Sequence, residues 1–87
     1  MNLCILMGKI ISDIEFKFII NSKNKSIAEF EIKTLDNNIV KIYAYNEIAD
    51  YCYRKLSKND SILIEGRISQ SGKVKIKNME TFEKKIE

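Results

Sequence analysis

The sequence predicts an all-β domain, five short strands closed into a barrel with one α-helix between strands three and four. Three observations carry this. Apolar and polar side chains alternate in five separate runs, the period of half-buried strands. One stretch, Ile48, Cys52 and Leu56, switches to four-residue spacing, the period of a helix face. Polar turns separate the runs, and no glycine-rich phosphate loop interrupts them.

The first strand spans residues 3–11. Cys4, Leu6, Gly8 and Ile10 share one face, and Leu3, Ile5, Met7 and Lys9 share the other. Both faces are nearly apolar, so the barrel interior covers one and the second needs a cover of its own; a second subunit is the favoured one. Alternation resumes over Phe16, Phe18 and Ile20, as a second strand or an extended edge. Asn21–Ser26 is polar and reads as a loop. Residues 27–35 place Ala28, Phe30 and Ile32 inward and Ile27, Glu29, Glu31 and Lys33 outward. Asp36–Asn37–Asn38 is a tight turn, because Asn and Asp tolerate a left-handed backbone. Residues 39–45 then return antiparallel, with Val40, Ile42 and Ala44 inward.

Asn46 is positioned to cap the helix that follows with its side-chain oxygen. The helix carries Ala49 and Tyr53 beside its apolar stripe, places Arg54 and Lys55 near its C-terminus, and ends at Lys58–Asn59–Asp60. Residues 62–68 form the next strand, with Ile62, Ile64, Gly66 and Ile68 inward and Leu63, Glu65 and Arg67 outward. Gly66 marks a sharp bend or a close backbone approach. Ser69–Gly72 makes the second hairpin connection. The last strand starts at Lys73, with Val74 and Ile76 inward and Lys73, Lys75 and Lys77 outward; Met79 and Phe82 change phase, so a bulge is expected near Asn78–Met79. The domain spans 1–82, and 83–87 is a short charged end. This order matches the five-stranded oligonucleotide-binding (OB) barrel, which removes the edges that an open sheet of short strands would expose.

Composition narrows the function. The chain is 45% hydrophobic and 31% charged, the balance of a globular protein. No apolar run approaches the roughly 20 residues that cross a bilayer, and no leader pattern precedes Leu3; the expectation is a cytoplasmic protein without a membrane partner. Histidine is absent, the carboxylates are scattered, and Cys4 and Cys52 form no CxxC pair. Catalysis, a metal site and a cofactor are therefore not expected. The net charge of +3 falls wholly in residues 48–87, where nine basic residues meet six acidic ones.

The outward face of 39–45 brings Ile39, Lys41, Tyr43 and Tyr45 together. Flat rings for bases beside a cation for phosphates are the ingredients of a single-stranded nucleic-acid surface. Lys33, Arg67, Lys73, Lys75 and Lys77 from neighbouring strands extend the candidate footprint. The alternating lysines of the last strand also read as a guard on a strand edge, and the acids Glu29, Glu31 and Glu65 neutralise part of the surface.

Several short segments, in order and at matching spacing, resemble the bacterial single-stranded DNA-binding proteins. Met1–Ile10 resembles that family's opening signature, Asp13–Ile14–Glu15 its Asp-Pro-Glu turn without the proline, and Ile48–Ala49–Asp50 the start of its helix. Ala28 and Phe30 fit its second core strand, Lys41 a phosphate-facing position and Tyr45 an aromatic stacking position. Ile64–Glu65–Gly66–Arg67–Ile68 resembles its fourth strand. The resemblance implies an OB-fold, cytoplasmic binding of single-stranded DNA without sequence preference, with RNA left open, and a role in replication, repair or recombination. It also implies pairing through the first strands, in agreement with the apolar face of Leu3, Ile5 and Met7 and a homodimer.

This chain departs from the family in having no tryptophan, two short hairpins, and no acidic tail before its last residue, Glu87. Recruitment of replication enzymes through such a tail is not expected. The chain resembles a reduced member, similar to the small primosomal OB-fold proteins. The competing reading is an OB-fold protein-interaction module with little affinity for nucleic acid.

Overall fold

Alternation places the strands close to their predicted positions, and one of the five is broken in two. The computed structural model describes residues 3–20 and 25–82. Its elements are β1 (Cys4–Ile10), β2 (Glu15–Ile19), β3 (Lys25–Thr34), β4 (Ile39–Tyr45), α1 (Asn46–Lys55), β5 (Ser61–Ile68) and β6 (Val74–Phe82). The predicted loop at 21–26 lies outside the described residues up to Asn24. Lys25 and Ser26 belong instead to β3, because they continue its ladder against Ile19 and Phe18. The charged end at 83–87 also lies outside the described residues.

β1 and β2 are successive halves of one barrel strand, since both pair antiparallel with β3. Ile10 and Glu15 lie five positions apart, but their partners Ile32 and Glu29 only three, so two extra residues bulge at the break. The backbone stays bonded across it. Ile11 N–H donates to the Glu31 carbonyl at 2.9 Å, and Glu31 N–H donates to the Ser12 hydroxyl at 2.8 Å. A side chain thus replaces the missing backbone acceptor.

The ring closes through β1–β5, β5–β6, a parallel β6–β4 contact, β4–β3 and β3–β1. It is the predicted OB barrel of five strands, and α1 follows the third of them. Its interior is filled mainly by even-numbered residues, among them Ile10, Phe30, Ile32, Ile42, Ile62, Ile64, Val74 and Ile76. Ala49 and Cys52 of α1, with Leu56 just after it, pack into this core. Burial pushes the Cys52 thiol up to about 12, and its Sγ lies 3.7 Å from Met79 Sδ. Tyr53 stacks on Phe16 with centroids 4.7 Å apart, tying the helix to β2. After the helix, Ile10 N–H donates to the Asp60 carbonyl and Asn59 N–H to the Ile10 carbonyl, which fastens the exit loop to the end of β1.

Two glycines make closure possible. At Gly8, β1 pairs with β5 and β3 at once, and a Cβ there would stand 2.6 Å from the Lys33 carbonyl oxygen. At Gly66 a Cβ would stand only 2.1 Å from the Lys75 carbonyl oxygen. Of the sharp bend or close approach expected at Gly66, the structure shows the close approach, and the bulge of the facing strand sits beside it. Glu65 pairs with Asn78 but Gly66 with Ile76, leaving Lys77 as the extra residue, one position before the expected site. The bulge shifts the phase, so Met79 packs against the core although it is odd-numbered.

Two local expectations are corrected. Asn46 makes no side-chain cap: it takes a left-handed φ of 56° at the strand-to-helix reversal, and its Oδ1 accepts the Ser26 N–H at 3.4 Å. Ile68 is not inward but exposed: it is the last residue of β5, next to the Ser69–Gly72 turn and past the part of the strand that lines the core. The turn after β3 forms as predicted, with Asn37 at a φ of 67° and Thr34 N–H donating to the Asn38 carbonyl at 2.9 Å. The Thr34 hydroxyl, hydrogen-bonded to the Asp36 carboxylate, holds that group below its usual range.

Replacing Gly66 by Ala should cost about 1–3 kcal/mol, because a backbone carbonyl cannot swing away as a side chain would. Urea unfolding reads this. A loss no greater than that of Ser71→Ala, in the exposed hairpin, would contradict the crossing. Thiol labelling checks the helix packing: half-buried Cys4 should react in the folded protein and Cys52 only after denaturation, whereas equal rates would contradict the burial.

Candidate nucleic-acid interface

The predicted parity of β4 holds. Val40, Ile42 and Ala44 turn toward the core, while Ile39 and Lys41 are exposed and Tyr43 and Tyr45 half-buried on the outer face. Antiparallel pairing sets Tyr45 opposite Ile27, Tyr43 opposite Glu29, Lys41 opposite Glu31 and Ile39 opposite Lys33. On the other side, the parallel contact with β6 sets Tyr43 beside Lys75, and Arg67 of β5 lies opposite Lys75.

The two tyrosines meet edge to face, with ring centroids 5.6 Å apart and planes at 76°. Tyr45 lies at the junction of β4 and α1, which limits its movement from both sides. Two ammonium groups approach its ring: Lys75 Nζ at 5.1 Å from the centroid and Lys25 Nζ at 5.2 Å. Each is within cation–π range, so the ring holds two lysines close to it.

A shallow hollow of about 240 Å³ lies beside this pair, lined by Ile27, Glu29, Tyr43, Tyr45, Ser69, Ser71 and Lys73. A second hollow, of about 530 Å³, includes Lys41 and Lys73 together with Asp13, Glu15, Glu29 and Glu31. Glu29 is paired twice, to Lys73 at 3.5 Å and to Lys17 at 3.8 Å.

The structure therefore gathers Tyr43, Tyr45 and Lys73 around one hollow, with Lys75 at the Tyr45 ring and Arg67 opposite Lys75. Lys41 belongs to the more acidic hollow. Ile39 and Lys33 face each other at the far end of the β3–β4 ladder, and Lys77 is exposed on the β6 bulge. Sequence reasoning missed Lys25, having placed it in a loop. Extending the odd-numbered outward series of β3 back from Ile27 would have found it, since it shares a face with Ile27 and Glu29. Among the described residues no group of three His, Cys, Asp or Glu side chains could hold a metal ion, and no helix is long and apolar enough to cross a membrane.

Comparison with known proteins agrees with this fold. The single-strand binding protein family model matches residues 1–86. Among solved structures, the chain is similar to the SSB domain of a Synechococcus sp. protein, with a TM-score of 0.81 and 16% identity, covering 91% of this chain and 93% of that one. It is also similar to the wild-type single-stranded DNA binding protein from Thermus aquaticus, with a TM-score of 0.85 and 19% identity; all of this chain aligns to 43% of that one. A deletion mutant of the Thermus protein gives a TM-score of 0.86 at 18% identity, again over 43% of its chain. No curated protein matches the sequence.

Proposed function

Because this chain belongs to the single-strand binding protein family, we propose that its nucleic-acid-binding OB barrel takes single-stranded DNA, without sequence preference, across the outer face of β4 and β6. Such barrels bind nucleic acid and are not enzymes. The observation that carries the reading is the Tyr43–Tyr45 pair, set beside an open hollow with Lys25 and Lys75 at its ring. A base stacking on Tyr45 displaces a lysine from the ring toward the phosphate beside it. Ring and cation then serve one nucleotide together. Lys41, Arg67 and Lys77 carry the backbone onward, and the exposed Ile39 adds an apolar contact near Lys33. The work is that of a cytoplasmic protein protecting exposed strands in replication, repair or recombination.

The outer face of β1 supports a homodimer. Leu3, Ile5 and Met7 are 53%, 65% and 45% exposed. A concavity of about 420 Å³ adjoins them, lined by Ile5, Leu63 and Met79 together with Glu65, Asn78 and Glu80. The exposed apolar side chains of Leu3, Ile5 and Met7 gain from burial against a second copy. Two linked sites would then offset the modest number of stacking residues in each.

Titration with oligo(dT) of about 30 nucleotides and with its duplex, at about 50 and 200 mM salt, tests the first proposal. The expected result is preference for the single strand and a log–log salt slope of about 2 for three engaged cations, at roughly 0.7 each. Tyr45→Ala should cost about 1–3 kcal/mol of binding, and Tyr51→Ala on the helix much less. Absence of binding at micromolar protein and low salt would leave the protein-interaction reading, and a stronger response to oligo(rU) would make RNA the ligand. Light scattering should return twice the chain mass of 10.1 kDa. Ile5→Glu should reduce it to one chain, and a single-chain mass for the unaltered protein would reject the dimer.

A further inference from the structure

We propose that the Lys73–Glu29 ion pair is a latch across the nucleic-acid face, which a bound strand must open, so that the Glu29 carboxylate limits affinity; this rests on the single-strand reading above. Glu29 lies on β3, in register between Glu15 of β2 and Tyr43 of β4. Two lysines reach it, Lys17 from β2 and Lys73 from the start of β6. Lys73 precedes Val74, which lies beside Ile42, so its ammonium reaches Glu29 only by crossing β4 at the level of Lys41 and Tyr43.

Both hollows of the face share Glu29 and Lys73 in their walls. The ion pair is thus the partition between the tyrosine hollow and the hollow that holds Lys41. A strand that stacks on Tyr45 and continues to Lys41 meets it midway. Phosphate is chemically competent to replace the carboxylate, since both offer anionic oxygens to the same ammonium groups. On that exchange Lys73 and Lys17 become phosphate ligands, while the Glu29 carboxylate is left facing a polyanion. The pair is part-exposed, at 41% for the Lys73 side chain and 33% for that of Glu29, and pairs so placed open at small cost. It is a latch and not a wall.

Glu29→Gln keeps the side-chain shape and removes the competing charge. Glu31→Gln is the matched control: Glu31 is also on β3, faces Lys41, and its carboxylate makes no ion pair among the described residues. Each variant is titrated with oligo(dT) over a salt series beside the unaltered protein, and thermal unfolding checks that each is folded. Glu29→Gln should bind about two- to fivefold tighter. Its salt slope should steepen by up to about 0.7 for each lysine released. Glu31→Gln should gain less affinity and leave the slope unchanged. Equal effects of the two variants, with normal binding by the unaltered protein, would overturn the latch and leave the single-strand reading standing. Weaker binding by a folded Glu29→Gln would overturn it too, making Glu29 a support for Lys73. Failure of all three proteins to bind at low salt would overturn both proposals.

Discussion

Closure of the barrel depends on the short parallel contact between β4 and β6, where Ile42 lies beside Val74 and Tyr43 beside Lys75. The same two register pairs serve the core and the outer face at once. Ile42 and Val74 seal the core, and one residue along, Tyr43 and Lys75 join an aromatic residue to a cation on the outer face. A slip of one residue would turn Tyr43 and Tyr45 inward and expose Val40, Ile42 and Ala44. Slippage is opposed by the β3–β4 ladder, which pairs seven residues from Ile27–Tyr45 to Lys33–Ile39 and is closed by the Thr34–Asn38 turn. Gly66 permits the contact from the other direction, because β5 and β6 approach too closely there for any side chain.

The chemistry of the outer face is mixed. Lys25 and Lys75 attend Tyr45, but Glu29 and Glu31 stand on the adjoining strand, opposite Tyr43 and Lys41. A net charge of +3 therefore understates the local field at the tyrosines and overstates it near Lys41. Opposed charges within about 4 Å of one another already offset each other, so the lysines on the face outnumber those without an acidic neighbour. Counting cations along a sequence cannot make that distinction, because ion pairs such as Lys73–Glu29 join residues 44 positions apart.

Much of the fold was legible because a strand with one wet face writes its parity into the sequence. Ala28, Phe30 and Ile32, then Val40, Ile42 and Ala44, state which side is core, and the structure agrees. The tyrosine pair followed from the same parity. Other features were not legible because they depend on what lies across the barrel. Ile68 has the apolar identity and the even number of an inward residue, yet it ends β5 beside the Ser69–Gly72 turn and is exposed. Asn46 has the identity of a helix cap, but the chain reversal takes its left-handed backbone and turns its amide to Ser26. Lys25 looked like loop because polar residues precede it, and pairing with Ile19 made it strand.

The sequence alone determined the order of the elements along the chain and the inward and outward sets of the central strands, and it marked Gly66 as a bend or a close approach. These are consequences of local periodicity and of the one residue without a side chain. Tertiary structure decided that β1 and β2 form one interrupted strand, that Lys77 carries the bulge, and that Lys25 and Lys75 converge on Tyr45 while Lys73 turns to Glu29. Each of these requires groups from distant parts of the chain to be held within a few ångströms. Only barrel closure brings them that near.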